Sequence, residues 1–409
     1  MGRNTHRIED YEQFIGAEAV DRILKKARNL QDYHVSHVNA TYYGGGVAEI
    51  LSSLTLLMNS LGIKTEWRVI QGSSDFFGAT KKMHNALQGQ QMPFSDIRTD
   101  VYEDVNYENA IRNHFDHDFV IVHDPQPLPL VTHYKKRSPW VWRCHIDLSH
   151  PHSELWDYLT PFVEQYDAAI LSFKEYTQRI KTPQIYFMPA INPFTYKNRF
   201  MTEEEMDERL AFHGIPTDLP LVVQVARFDP WKDPVGVIEA YKMARQEVDC
   251  TLVLLGNFAA DDPEGVEVFE SLLEKRDDRI FILPNGEDTA LVNSLQRRAA
   301  VVLQKSTREG FGLTVTEAMW KESAVIGGNV GGIRYQIEDG DNGYLVTSIE
   351  EASRRIVQLV KDEPLRTEMG RKARETVREK FLLSRLLEQY LDLIDSFETI
   401  FRMRYFPGF

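Results

Sequence analysis

The sequence predicts an α/β protein with two doubly wound parallel sheets facing a central cleft. Three observations carry that expectation. Short apolar runs alternate with amphipathic segments, the grammar of parallel α/β sheets. The alternation occurs twice, on either side of segment 188–194 (MPAINPF), where two prolines interrupt it. The chain has 409 residues, enough for two or more domains with buried cores.

In the first half the strands are read as HVSHVNA (34–40), EWRVI (66–70), FVIVHD (119–124), VWRCHI (141–146), AAILS (168–172) and IYFMP (185–189). In the second they are LVVQVAR (221–227), TLVLLG (251–256), IFILP (280–284), AVVLQ (300–304), SAVIGG (323–328) and GYLV (343–346). The clearest helix runs from Val47, with apolar residues at Ile50, Leu51, Leu54, Leu57, Met58 and Leu61, and stops at Gly62. Another runs from Val235 towards Ala244, and the charged segment 202–214 follows the join. Segment 384–406 reads as a long amphipathic helix. The domain expectation is 1–190, 191–383 and a final helix in 384–409.

The net charge of −14 argues against nucleic acid or an anionic membrane as the main partner. Two cysteines, Cys144 and Cys250, lie far apart, so a disulfide framework is not expected and a reducing cytoplasm is the simplest location. The first residues show no apolar signal region, and His6 breaks the myristoylation pattern. No apolar run has the length of a membrane span.

Ligands of open α/β sheets bind at the carboxyl ends of the strands, and four motifs fall there. In NATYYGGGVAEIL (39–51), Gly44, Gly45 and Gly46 separate a strand from a helix. They suit a close backbone approach to a phosphate or sugar, or equally a flexible turn. In QVARFDPWKDP (224–234), Arg227 and Lys232 suit a diphosphate, Arg as a fork and Lys as a point charge; a pair of surface cations is the alternative.

In STREGFGLTVTEAMWK (306–321), a helix is expected to begin near Gly312-Leu313 and offer free N–H groups to an anion. Acidic side chains would repel a phosphate there, so Glu309 and Glu317 need another task. Carboxylates accept well from sugar hydroxyls, which gives Glu309 a sugar and Glu317 a ribose. The alternative is a solvated helix residue at Glu317 and a helix-dipole partner at Glu309. In WVWRCHIDLSHPH (140–152), His145 and Asp147 stand at a strand end, where a histidine can position or polarise a substrate. A zinc site from Cys144, His145, His150 and His152 lacks the usual spacing. His123 and Asp124 read as core or as acceptor-facing.

Together these pieces resemble the retaining glycosyltransferase family 4, of GT-B architecture, over nearly the whole chain. The separation of Glu309 and Glu317 matches that family's glutamate pair. The stretches HVNATYYGGGVAEIL, VHDPQP, WRCHIDLS, RFDPWK, DDPEG and REGFGLTVTEAMWK resemble the trehalose glycosyltransferring synthases. The fungal-type retaining trehalose phosphorylases are similar over the same motifs, but are usually longer at the N-terminus. One departure is Lys321-Glu322-Ser323, where family members commonly have Gly-Lys-Pro.

The resemblance implies transfer of glucose from a nucleoside-diphosphate glucose to glucose, giving α,α-trehalose reversibly. A phosphorylase would use inorganic phosphate instead. An inactive sugar- or nucleotide-binding relative is the alternative outside enzymes, and the intact pairs Arg227–Lys232 and Glu309–Glu317 speak against it. By resemblance, Arg227 and Lys232 bind the diphosphate. Glu309 holds donor-sugar hydroxyls with the amides of Gly310, Phe311, Gly312 and Leu313. Glu317 holds the ribose, His145 contacts the donor sugar, and Gly44, Gly45, Gly46 and Asp147 line the acceptor and phosphate side. PNGEDTALVN (284–293) is expected to meet the base. The final helix is expected to cross back to the N-terminal domain. No metal and no cofactor are expected. The expected partners are nucleoside-diphosphate glucose, glucose and trehalose, with a homodimer left open.

Overall fold

The computed structural model describes residues 6–43, 45–257, 263–284 and 288–405. The chain divides into two compact units. The first runs to Ala190 and resumes at Leu383; the second spans Ile191–Leu382.

The first unit holds β1 (His34–Asn39), β2 (Lys64–Val69), β3 (Phe119–His123), β4 (Trp140–Arg143), β5 (Ala168–Leu171) and β6 (Gln184–Tyr186). Their order is β2-β1-β3-β4-β5-β6, with every pair parallel. β3, β4 and β5 are buried along their whole length, which is why they read as continuous apolar runs rather than alternating ones. The order reverses between β1 and β3, and such a reversal opens a crevice at the carboxyl ends of the two strands.

The helix Gly46–Ser60 follows β1 and buries Ile50, Leu51, Leu54, Leu57 and Met58. It ends where Gly62 takes φ 85°, a backbone that a glycine adopts without strain. The helix Leu383–Tyr405 belongs to the same unit. It buries Leu386, Leu387, Tyr390, Leu391 and Ile394. Its Glu388 pairs with Arg22 (2.7 Å) and Lys26 (2.8 Å) of the helix Ala17–Arg28. Arg385 donates to the carbonyls of Met188 (2.8 Å) and Pro189 (3.0 Å).

The second unit holds β7 (Leu221–Val225), β8 (Thr251–Gly256), β9 (Ile280–Pro284), β10 (Ala299–Gln304), β11 (Val325–Gly328) and β12 (Tyr344–Val346). The order is β12-β11-β10-β7-β8-β9, again all parallel. The reversal lies between β7 and β10. All twelve strands expected from the sequence form. β7 stops two residues short of Arg227, which stands in the following turn instead of ending the strand.

Candidate active site

The turn after β7 and the loop after β10 meet at the reversal point of the second unit. Asp229 caps a short turn, accepting from the Trp231 N–H at 2.8 Å. Gln224, inside β7, donates to the Lys232 carbonyl at 2.8 Å. The Thr307 N–H donates to the Trp231 carbonyl at 2.8 Å, tying the two connections together. Lys232 Nζ then lies 2.5 Å from Glu309 Oε2, with both side chains mostly buried. The surface-cation alternative does not hold for Lys232. Arg227 is half exposed and its Nη2 reaches Asp229 Oδ2 at 3.3 Å.

A second ion pair lies alongside. Asp233 has a left-handed backbone (φ 48°, ψ 51°) and caps the helix Pro234–Ala244 through the Gly236 N–H at 3.0 Å. Its other oxygen pairs with Lys305. Lys305 was not singled out from the sequence, where the available signal was a lysine directly following a buried apolar strand.

The loop 309–312 is shaped by glycines on the segment facing it. Gly331 has φ +45°, and a Cβ there would lie 1.7 Å from the Glu309 carbonyl oxygen. The Gly332 N–H donates to that same carbonyl at 3.2 Å. Gln336 reinforces the loop, donating to the Phe311 carbonyl at 2.6 Å and accepting from Thr316 Oγ1 at 2.6 Å. The helix Leu313–Trp320 starts where expected. Its N-cap, Gly312, takes φ +85° and, as a glycine, supplies no side-chain cap.

Glu317 sits inside that helix and is 1% exposed, paired with Lys197 at 2.8 Å. That overturns the solvated alternative: a buried carboxylate needs a partner or a ligand. Lys321 is also buried and donates to Gln296 Oε1 (2.6 Å) and Asn198 Oδ1 (3.0 Å). Glu322 carries φ 63° just past the helix, a left-handed position usually given to glycine. This is the segment that departs from the family pattern.

In the first unit, three imidazoles form a chain at the carboxyl ends of adjacent strands. His37 Nδ1 lies 2.9 Å from His123 Nε2, and His123 Nδ1 lies 3.1 Å from His145 Nε2. The His123 and His145 rings stack with centroids 5.4 Å apart, and Tyr390 meets His37 edge-on at 5.7 Å. Burial pushes His37 down to about 3, and burial holds His123 and His145 well below the usual histidine range. The chain is therefore neutral at neutral pH, and each imidazole sets its neighbour's tautomer.

Asp124 accepts from the backbone N–H of His145 at 2.7 Å, and burial raises it to about 6. Asp147 instead accepts from the Ser149 N–H at 2.9 Å. Asp124 thus anchors the backbone at His145, and His123 is a buried link in the chain. His37 was not singled out from the sequence. A polar residue within a buried parallel strand was the signal.

Gly45 (φ 85°) precedes the helix Gly46–Ser60. Gly44 lies outside the described residues, as do 285–287 of the base-facing segment and 261–262 of the DDPEG stretch.

The two six-stranded parallel sheets and the cationic, glycine-lined helix start define a GT-B glycosyltransferase. Residues 205–376 match the glycosyl transferases group 1 family, and residues 37–178 match the trehalose synthase N-terminal domain family. A trehalose synthase from Thermococcus litoralis is 44% identical over 406 residues, covering 97% of this chain and 98% of that protein. One from Rubrobacter xylanophilus is 39% identical over 400 residues, covering 94% and 96%. The chain belongs to the trehalose synthase family. A trehalose phosphorylase from Pleurotus pulmonarius is 27% identical, covering 92% of this chain but 59% of that protein. Among solved structures, sucrose-phosphate synthase from Thermosynechococcus elongatus shares the fold with a TM-score of 0.70. It is 15% identical, covering 90% of this chain and 100% of that one.

Proposed function

We propose that this glycosyltransferase moves glucose from a nucleoside-diphosphate glucose to free glucose, giving α,α-trehalose with retention at the transferred carbon, reversibly and in the cytoplasm. The observation that carries the reading is the Lys232–Glu309 pair beside the helix Leu313–Trp320, whose N-cap is a glycine. A cation, a carboxylate and backbone N–H groups at one reversal point of a parallel sheet support that reading.

Chemistry follows from that arrangement. The bond from the glucosyl carbon to the phosphate oxygen breaks, and its electrons stay on the diphosphate. Lys232, Arg227 and the helix start stabilise the growing negative charge. The acceptor hydroxyl bonds to the same face of the carbon, and its proton passes to the departing phosphate oxygen. No covalent carboxylate is needed, unlike the carboxylate pair of a retaining hydrolase. No metal is needed at the diphosphate, because cationic side chains are available.

When donor arrives, Lys232 turns from Glu309 to the phosphate, which leaves Glu309 to accept from sugar hydroxyls. Gly310, Phe311, Gly312 and Leu313 contribute backbone amides. Glu317 accepts from the ribose, with Lys197 balancing its buried charge. His145 contacts the sugar, its ring oriented by the imidazole chain and its backbone held by Asp124. Gly45, Gly46 and Asp147 line the acceptor side.

The test is to incubate the protein with glucose and each nucleoside-diphosphate glucose in turn, and identify the disaccharide and its anomeric configuration. The α,α isomer is the expected product. No disaccharide with any donor, or an inverted linkage, contradicts the reading.

A further inference from the structure

Three metal-ligand side chains converge at the amino edge of the first unit's sheet, the edge opposite His123 and His145. His34 opens β1, Glu66 is the third residue of β2, and His117 lies two residues before β3. The parallel order β2-β1-β3 brings these strand starts side by side. His34 Nε2 lies 2.9 Å from Glu66 Oε1, and His117 Nε2 lies 3.3 Å from Glu66 Oε2. One ligand atom from each residue falls within 4.8 Å of the others, and the two imidazole rings lie 4.1 Å apart. No other such group occurs among the described residues. A tetrahedral Zn²⁺ holds its ligand atoms at roughly 2.0–2.2 Å, which sets them about 3.3 Å from one another. The spacing already present needs only a small convergence to reach that geometry.

We propose that His34, Glu66 and His117 form a binding site for a transition-metal ion of the Zn²⁺ class, with the fourth position open to solvent. Two imidazoles and one carboxylate suit Zn²⁺ and its neighbours, whereas an oxygen-only shell would suit Mg²⁺ or Ca²⁺. The His117 side chain is fully buried, so its ring is fixed in place before any ion arrives. His34 and Glu66 are partly exposed, which provides a path for entry.

Arg68 supplies the outer support that ligating carboxylates usually have. Its Nε and Nη2 lie 2.9 and 2.8 Å from Glu66 Oε2, which directs Oε1 to the ion. Arg68 is itself held by the His114 carbonyl at 2.5 Å and by the Phe115 ring at 5.2 Å. Its positive charge weakens the site without closing it. The ion would fasten together β1, β2 and the approach to β3. None of these residues belongs to the motifs of the proposed transfer reaction, so the site stands whether or not that reaction is correct. No metal was expected from the sequence, since Arg227 and Lys232 were available for the diphosphate; residues 34, 66 and 117 share no ligand spacing that a linear motif could reveal.

The full chain, stripped with a chelator, is titrated with Zn²⁺ by equilibrium dialysis and with Co²⁺ by visible absorption. The expected result is one equivalent bound per chain and Co²⁺ ligand-field bands. Affinity should fall at least about tenfold in His34→Ala and in Glu66→Gln, since even outer-shell losses cost about 10–100-fold. Both substitutions alter partly exposed side chains, and circular dichroism checks that the fold is retained. Unchanged affinity in both variants, or no Co²⁺ bands from the unaltered chain, overturns the proposal and leaves an ion-pair network.

Discussion

Lys232 Nζ rests 2.5 Å from Glu309 Oε2, joining residues 77 apart in sequence. Each group holds the place that the other's ligand would take: a phosphate for the lysine, sugar hydroxyls for the glutamate. Lys232→Ala should lower kcat by about 10–100-fold or more, since a charge-assisted contact is worth about 1.5–3 kcal/mol. Glu309→Gln should also lower kcat, with donor KM little changed, because its proposed role is to fix the reacting sugar. Steady-state kinetics check both. Near-normal rates in Lys232→Ala would place the diphosphate elsewhere.

Glu317 is expected to act on binding. Glu317→Ala should raise donor KM more than it lowers kcat, because the ribose is remote from the reacting carbon. It should also destabilise the second unit, since breaking a buried pair costs about 3–5 kcal/mol and leaves Lys197 unbalanced. Denaturant unfolding beside donor titration separates the effects. Abolished turnover with unchanged donor affinity would contradict the ribose role.

The imidazole chain predicts a loss of stability in acid. His37 is pushed down to about 3, and His123 and His145 also lie below their usual range, so the unfolded chain binds protons that the folded one refuses. Their contribution is intact above about pH 6.5 and is lost as pH falls towards 3. Asp124, raised to about 6, acts in the opposite sense, because its folded form holds a proton that the unfolded chain has released. Three groups against one leave net destabilisation below about pH 6.5, at about 1.4 kcal/mol per pH unit for each unbalanced proton. His37→Leu should flatten that slope. Unfolding free energies measured between pH 4 and 8 test it; an unchanged slope in the variant contradicts it.

Gly331→Ala should damage catalysis without touching a ligand. The new Cβ would sit 1.7 Å from the Glu309 carbonyl oxygen at a left-handed backbone position. The loop must move, and kcat should fall roughly as far as in Glu309→Gln. Unaltered kinetics would mean that the loop has slack the structure does not show.

EDTA should leave the rate of transfer intact while lowering the melting temperature of protein loaded with Zn²⁺. The proposed reaction uses Lys232 and Arg227 of the second unit, and the proposed ion site lies at the amino edge of the first unit's sheet. Loss of activity on chelation, restored by Mg²⁺ or Mn²⁺, would contradict that separation.

β3, β4, β5, β7 and β8 were legible because burial along their whole length leaves an apolar run that composition alone reveals. The start of the helix Leu313–Trp320 was legible from its glycines. Side-chain partnerships were not. Lys197 meets Glu317 across 120 residues, Lys305 meets Asp233 across 72, and His37 meets His123 across 86; linear spacing carries no trace of such pairs. The burial of Glu317 was equally hidden, since a glutamate in a short helix is usually solvated. Asp147 drew attention by standing two residues after His145, yet Asp124 takes the backbone N–H of His145 because the parallel register brings the ends of β3 and β4 together.

The central claim is that the donor phosphate belongs to a nucleotide. Trehalose is incubated in parallel with a panel of nucleoside diphosphates and with inorganic phosphate, and sugar phosphates are quantified. The account predicts nucleoside-diphosphate glucose and free glucose from at least one nucleotide, with no appreciable glucose 1-phosphate from phosphate alone. Rapid glucose 1-phosphate formation without nucleotide would contradict it and make the protein a phosphorylase.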